Sequence, residues 1–108
     1  MERLDELLER IQRFNDERDW NQFHTPASLA KSIAIEAGEL LECYQWSDEP
    51  TDINAVKEEL ADVASYVLMM CQVLNVDLID IVHKKMDLTE KKYPVEKAKG
   101  VATKYDKL

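Results

Sequence analysis

The stretch from Ile53 to Leu74 constrains the fold more than any other part of this sequence. Its first half is amphipathic, with Ile53, Val56 and Leu60 at helical spacing, but from Val63 onward apolar residues lie on almost every side of the predicted helix. A helix that is apolar on all sides must be covered on all sides, and a chain of 108 residues has few other elements to cover it. The sequence therefore predicts a helical protein whose subunits associate.

Helical spacing of apolar residues recurs along the chain, which contains only two glycines and three prolines. Thr25 followed by Pro26 is a helix start signal, and Asp77 can cap a later helix. In the polar linker from 47 to 52, Thr51 or Asp52 can cap the helix that follows. The predicted helices are 2–17, 26–46, 53–74 and 78–92.

The segment after Pro94 has no sustained apolar spacing, and we expect a mostly irregular tail there. There is no internal repeat and no sign of a second domain. The predicted fold class is all-α: one domain over residues 1–108, built as a four-helix bundle subunit that assembles with further copies.

Charge and composition exclude several classes of function. The net charge of −8 argues against general affinity for nucleic acid polymers or anionic membranes. No uncharged run has membrane-spanning length and no N-terminal signal is visible, so a soluble cytoplasmic protein is expected. Cys43 and Cys71 lie in apolar helical runs and are predicted to be buried thiols of a reducing compartment.

Two pairs of acidic residues have the same spacing on the second and third predicted helices. The second helix carries Glu36 and Glu39, and the third carries Glu59 and Asp62. Positions three apart lie on one side of a helix, so two such helices packed together would present four carboxylates to one small volume. This cluster is unfavourable in a partly dry site unless a cation neutralises it. Because oxygen ligands suit Mg²⁺, which also binds phosphate, the pattern predicts a metal-dependent enzyme acting on a nucleotide or another phosphorylated small molecule.

The acidic pairs also have a simpler interpretation. A chain with 22 acidic residues contains such pairs by chance, and most of them lie on solvated surfaces. Glu36 falls about 20° from Leu29 on a helical wheel, at the edge of the buried face, whereas Glu42 and Glu58 project away and are expected to be solvated. A non-catalytic helical oligomerisation or partner-binding module therefore stays open as the alternative to an enzyme.

Other metal sites fit the sequence less well. A di-iron carboxylate bundle needs Glu-x-x-His on two helices, but Asn21 precedes His24 and Asp80 precedes His83 at that spacing. Neither cysteine has the spacing of zinc ligands. Magnesium is the metal that the donor set favours.

Four stretches, in this order along the chain, resemble the MazG-like all-α nucleoside triphosphate pyrophosphohydrolases, and within that family most closely the dCTP pyrophosphatase branch. The resemblance covers nearly the whole chain and extends to Gly100 and the Lys104-Tyr105 pair near its end. The stretches are Glu17 to His24 (ERDWNQFH), Glu36 to Trp46 (EAGELLECYQW), Glu58 to Tyr66 (EELADVASY) and Lys85 to Pro94 (KMDLTEKKYP).

The resemblance implies a catalytic site. Glu36, Glu39, Glu59 and Asp62 would hold Mg²⁺ against the triphosphate, and a water activated by Glu36 or Glu39 would attack the α-phosphorus. The products would be a nucleoside monophosphate and pyrophosphate. This is the chemistry of nucleotide-pool house-cleaning, with pyrimidine deoxynucleotides such as dCTP as the expected substrates.

The resemblance also implies a substrate pocket and an assembly. Homodimers or dimer-of-dimers tetramers are expected, in agreement with the apolar third helix. Where the family usually has Asn, four residues after Lys85, this chain has Thr89, whose hydroxyl lacks the two-sided reach of an amide. This departure concerns the base or sugar preference and not the metal chemistry. The expected substrate-binding residues are Trp20, His24, Trp46 and Tyr66 around the base and sugar, and Lys85, Thr89 and Tyr93 toward the phosphates.

Overall fold

The computed structural model describes residues 2–108, and in that part of the chain it contains helices and loops but no strand. The predicted all-α class is confirmed, and four long helices are compatible with the predicted bundle subunit. Two short 3₁₀ turns, Asn21–Phe23 and Tyr105–Lys107, lie between or after the helices. The α-helices are α1 (Arg3–Glu17), α2 (Pro26–Glu42), α3 (Ile53–Leu74), α4 (Leu78–Lys92) and the short α5 (Val95–Ala98).

The predicted starts of α2, α3 and α4 are confirmed by their caps. The Thr25 hydroxyl accepts from the Ser28 N–H at 3.1 Å while the Ser28 hydroxyl accepts from the Thr25 N–H at 3.0 Å, which is a reciprocal capping box. Asp52, not Thr51, caps α3 through its Oδ1. Asp77 caps α4 by accepting from the Asp80 N–H. These caps satisfy backbone donors that have no partner inside the helix.

The predicted end of the second helix was wrong, because α2 ends at Glu42 and not near Trp46. The N–H groups of Cys43, Tyr44 and Gln45 donate to carbonyls three residues back, so the chain tightens into successive turns. Apolar spacing continues to Trp46, but that side chain is 90% exposed and gains no packing that would extend the helix.

The tail was expected to be mostly irregular, and the structure adds one short helix and one 3₁₀ turn to this expectation. α5 follows Pro94, and the Tyr105 ring packs edge-to-face on Tyr93 with centroids 6.1 Å apart. The ammonium of Lys92 lies 4.7 Å from the centre of the Tyr105 ring. Aromatic and cation–π contacts therefore order a segment that has no hydrophobic periodicity.

Residue contacts divide the chain into two compact units, 1–76 and 77–108. In the first unit α3 packs mainly on α2 and also on α1. Leu29 of α2 is completely buried, and the other buried apolar side chains of this unit are Ile11, Val56, Leu68 and Cys71. This core fixes the facing sides of α2 and α3, which carry the acidic pairs.

Several large apolar side chains of α2 and α3 stay exposed in the single chain. Leu41 is 70% exposed and Leu60 is 55% exposed. Subunit association and the single-domain description remain predictions.

Among residues 2–108, no one helix has both the length and the apolar content needed to cross a bilayer.

Candidate functional site

Three of the four predicted acidic residues meet between α2 and α3. Glu36, Glu59 and Asp62 each offer one carboxylate oxygen, and these three oxygens lie within 4.8 Å of one another. Oxygens on opposite sides of a Mg²⁺ ion are about 4 Å apart, since each Mg–O distance is about 2.0–2.1 Å. A small inward movement of these side chains would therefore bring them to magnesium distances.

Glu39 completes the acidic cluster in a different position. Its carboxyl lies within hydrogen-bonding reach of both Glu36 and Glu59, although it is not one of the three converging oxygens. Glu39 is exposed, whereas Glu36 and Glu59 are half-buried. The cluster thus has two half-buried carboxyls, linked by an exposed one.

The close approach of these acids raises the pKa values of Glu36 and Glu59. A hydrogen bond with Glu39, burial, and the charges of Glu39, Asp62 and Glu59 together raise the pKa of Glu36 to about 7. Burial, followed by the hydrogen bond and charge of Glu39, also raises the pKa of Glu59. The cluster therefore retains a proton near neutral pH when nothing else neutralises it.

Among the residues that the structure describes, no side chain supplies the missing positive charge. Within residues 2–108, no lysine or arginine pairs with these carboxylates at 4.0 Å or less; the ion pair that does form is Arg13–Glu17 on α1. The buried Oε2 atoms of Glu36 and Glu59 have no hydrogen-bond partner. Buried charges without partners are costly, so the donor set fits an external hard cation. Glu42 and Glu58, by contrast, are exposed as predicted.

The predicted base-and-sugar residues of the first unit differ in exposure. Trp20 packs edge-to-face on Phe14 with centroids 5.4 Å apart and is 44% exposed. His24 and Tyr66 are half-buried, and Tyr66 follows Asp62 by one turn of α3. Trp46 is 90% exposed, and its predicted contact with a substrate remains a prediction.

The predicted phosphate-side residues belong to the second unit. Thr89 donates its hydroxyl hydrogen to the Lys85 carbonyl at 3.0 Å, so its oxygen keeps only acceptor capacity for a ligand. This bond increases the difference in hydrogen-bonding capacity between Thr89 and the Asn that the family usually has there. Lys85 is exposed and Tyr93 is half-buried against Tyr105. Their roles stay predictions.

A cavity of about 210 Å³ in the first unit was missed by the sequence reasoning. His24 lines it together with amide side chains of α1 and α3, among them Asn15 and Gln72. One signal was available: Asn15 continues the apolar row of Leu8 and Ile11 on α1, where a polar residue is unexpected.

Comparison with known proteins gives relatives over most of the chain. dCTP pyrophosphatase 1 of Mus musculus is 39% identical over 104 residues, covering 88% of this chain and 61% of that protein. The Homo sapiens protein of the same name is 37% identical over 104 residues, with the same coverage. This chain therefore spans about three-fifths of the length of these relatives.

A solved structure and a family model agree with these relatives. A pyrophosphatase from Archaeoglobus fulgidus DSM 4304 superposes with a TM-score of 0.82 at 39% identity, covering 87% of this chain and 94% of that one. The MazG-like family model matches residues 31–108, which include all four acids of the cluster. The resemblance seen in the sequence motifs is thereby confirmed, and the chain belongs to the MazG-like family.

Proposed function

We propose that this chain is a Mg²⁺-dependent nucleoside triphosphate pyrophosphohydrolase. The observation that carries the proposal is the convergence of Glu36, Glu59 and Asp62, with which no lysine or arginine of residues 2–108 forms an ion pair. Two buried oxygens of this cluster also have no hydrogen-bond partner. Family membership and the names of the relatives, which are pyrophosphatases, support the same chemistry.

Glu36, Glu59 and Asp62 would hold the ion, with Glu39 beside them, and the ion would neutralise the triphosphate and lower the pKa of a nearby water. The side chains have distinct tasks. Glu39 is exposed and shares hydrogen bonds with Glu36 and Glu59, so it accepts the proton of the attacking water at its carboxylate. Glu36 and Glu59 orient Glu39 through the same bonds.

Because the water attacks the α-phosphorus, the triphosphate is cleaved into a nucleoside monophosphate and pyrophosphate. Trp20, His24, Trp46 and Tyr66 surround the base and sugar. Lys85 and Tyr93 would bind the phosphates with a charge and a hydroxyl. The relatives are named for dCTP, which supports pyrimidine deoxynucleotides as the preferred substrates and house-cleaning of the nucleotide pool as the role.

A substrate panel tests this function directly. The protein is incubated with each of the common ribo- and deoxynucleoside triphosphates and Mg²⁺, and the products are separated by ion-exchange chromatography. Monophosphate and pyrophosphate in equal amounts are expected. Release of orthophosphate with a diphosphate, or no turnover of any nucleotide, would contradict the proposal.

The exposed apolar side chains favour a second property, which is self-association. Leu41 and Leu60 stay largely exposed in one copy of the chain, and burying such surface stabilises oligomers. A homodimer or dimer-of-dimers tetramer is proposed for the active form. A chain that associates but neither turns over nucleotides nor responds to Mg²⁺ would instead be a non-catalytic interaction module.

A further inference from the structure

Tyr105 links the tail to the end of α4. Its ring packs edge-to-face on Tyr93, with centroids 6.1 Å apart and an interplanar angle of 80°. The centre of the same ring lies 4.7 Å from the ammonium of Lys92. One side chain of the tail therefore contacts two consecutive residues at the end of α4.

The backbone of the tail turns back so that this contact can form. The Pro94 carbonyl accepts from the Ala98 N–H at 2.9 Å, which starts α5 directly after the proline. Gly100 follows α5 with a φ of 81°, in the left-handed region that glycine adopts at little cost. The N–H of Val101 donates to the Ala98 carbonyl at 3.2 Å and closes the turn. The return of Tyr105 to α4 is thus built into the backbone of the tail.

The contact with Tyr105 holds the Lys92 ammonium without neutralising it. In the part of the chain that the structure describes, Lys92 forms no ion pair with a carboxylate at 4.0 Å or less. An aromatic face attracts an ammonium through its quadrupole but carries no net charge. Ordering a lysine side chain costs conformational entropy, and the contact with the ring offsets part of this cost before a ligand binds. Lys92 therefore keeps its full charge for an anion.

Lys92 also lies on the face of α4 that carries residues assigned to the phosphate side of the site. Lys85, Thr89 and Lys92 fall within about 60° of one another around the helix axis. Lys85 and Lys92 are about 10 Å apart along the axis, and both side chains are exposed. Because lysine has a long and flexible stem, two lysines at this spacing can reach one polyphosphate.

The charge of the second unit favours the same kind of ligand. Residues 77–108 carry eight lysines against six acidic residues, whereas the whole chain has a net charge of −8. The unit that contains Lys92 is therefore positively charged within an acidic protein, and it attracts anions more strongly than the rest of the chain does.

We propose that Tyr105 is a positioning residue of the substrate site: its ring, packed on Tyr93, holds the ammonium of Lys92 for the polyphosphate of a nucleotide. This inference rests on the proposed function for its ligand. Lys92 acts on phosphates that are present in both the bound substrate and the transition state, so loss of its charge should raise KM and leave kcat nearly unchanged. If Tyr105 only supported the fold, its loss would reduce the active fraction, and kcat would fall while KM stayed the same.

The first test measures binding and needs no turnover. The ε-methylene signals of Lys92 are followed by ¹H–¹³C NMR in the ¹³C-labelled full chain and are assigned by their loss in K92M. Inorganic tripolyphosphate is then titrated in the presence of Mg²⁺. Saturable shifts at Lys92, and weaker binding by Y105L, are expected. The absence of shifts at Lys92, equal shifts at the exposed Lys97 of α5, or equal affinities of Y105L and wild type would overturn the inference.

The second test is a double-mutant cycle on the nucleotide that wild type hydrolyses fastest. Y105L removes the aromatic face and should raise KM on the order of threefold, whereas Y105F keeps the face and should behave like wild type. K92M removes the charge and should raise KM about tenfold. Y105L should cause no further rise in the K92M background, because the charge that Tyr105 positions is already gone. Additive effects of the two substitutions would reject the role of Tyr105.

A matched control is K97M, which removes an exposed lysine of the same tail and should leave KM unchanged. A rise in KM with K97M equal to that with K92M would show a general charge effect and overturn the inference. Should Y105L not fold, Tyr105→4-cyanophenylalanine keeps the ring but weakens its attraction for a cation, and it should still raise KM. An unchanged KM in that variant would also reject the role of Tyr105.

The two tests separate this inference from the proposed function. If wild type hydrolyses no nucleotide, the function fails, while the tripolyphosphate titration still decides whether Tyr105 holds Lys92 for a polyphosphate. If wild type hydrolyses nucleotides but Y105L keeps the wild-type KM, the function stands and the role of Tyr105 is rejected.

Discussion

Glu36 on α2 and Glu59 on α3 each carry a buried oxygen, Oε2, that no hydrogen-bond donor of residues 2–108 reaches. Both oxygens belong to carboxyls that are crowded by Glu39 and Asp62. The folded chain alone therefore holds an unfavourable cluster. Such local costs are typical of functional sites, where a ligand offsets them.

The first prediction is that E36Q stabilises the metal-free protein at alkaline pH. The pKa of Glu36 rises from 4.5 to about 7 on folding, so between these pH values the folded state binds a proton that the unfolded state has lost. The wild-type free energy of unfolding should fall as pH rises through this window, and E36Q should lack that part of the fall. Thermal unfolding in EDTA at pH 5 and pH 8 measures this. A larger advantage of E36Q at pH 5 than at pH 8 would contradict the assignment.

The second prediction is that Mg²⁺ stabilises the wild-type fold, more at pH 8 than at pH 6. At pH 6 the ion must displace the proton held by Glu36, whose pKa is about 7, whereas at pH 8 this carboxyl is mostly ionised. At a hundred times its Kd, an ion that binds only the folded state adds about 2.7 kcal/mol to the free energy of unfolding. Tm is measured with and without Mg²⁺, and D62N should show a much smaller response.

The third prediction concerns turnover. E39Q and D62N should each lower kcat/KM on the order of 100-fold or more, because each removes a charge from the centre while keeping the side-chain volume. E58Q is the matched control, since Glu58 is exposed and lies next to Glu59 in sequence. Loss of activity in E58Q equal to that in D62N would show a general charge effect and not a local site. Circular dichroism checks that every variant keeps its helix content.

Much of this site could be predicted from the sequence, because the spacing of residues along a helix fixes the angles between their side chains around its axis. The bounds of α3 and α4 were predicted correctly, since strong caps and apolar spacing agree there. Once α2 packs on α3 through the buried Leu29, Glu36 has to lie near the partner helix, because it is about 20° from Leu29 around the axis of α2. Convergence of Glu36 with Glu59 was thus accessible from the sequence.

Other features depend on contacts that periodicity does not encode. α2 stops at Glu42 because its last turns tighten, although apolar residues continue to Trp46. The tail beyond Pro94 is ordered by the packing of Tyr105 on Tyr93, which is one long-range aromatic contact. The separate position of Glu39 likewise depends on side-chain conformation, which a helical wheel does not give.

The last prediction tests the cap that starts α3 and so helps to hold Glu59 and Asp62 in place. Asp52 Oδ1 accepts from the N–H groups of Asn54 at 3.0 Å and Ala55 at 3.3 Å. D52A should lower the free energy of unfolding by about 1 kcal/mol, because these donors lose their partner, and D52N should restore most of it. T51A, which changes the neighbouring alternative cap, should have almost no effect. Urea unfolding monitored by circular dichroism measures all three variants, and equal losses for T51A and D52A would show that both residues share the cap.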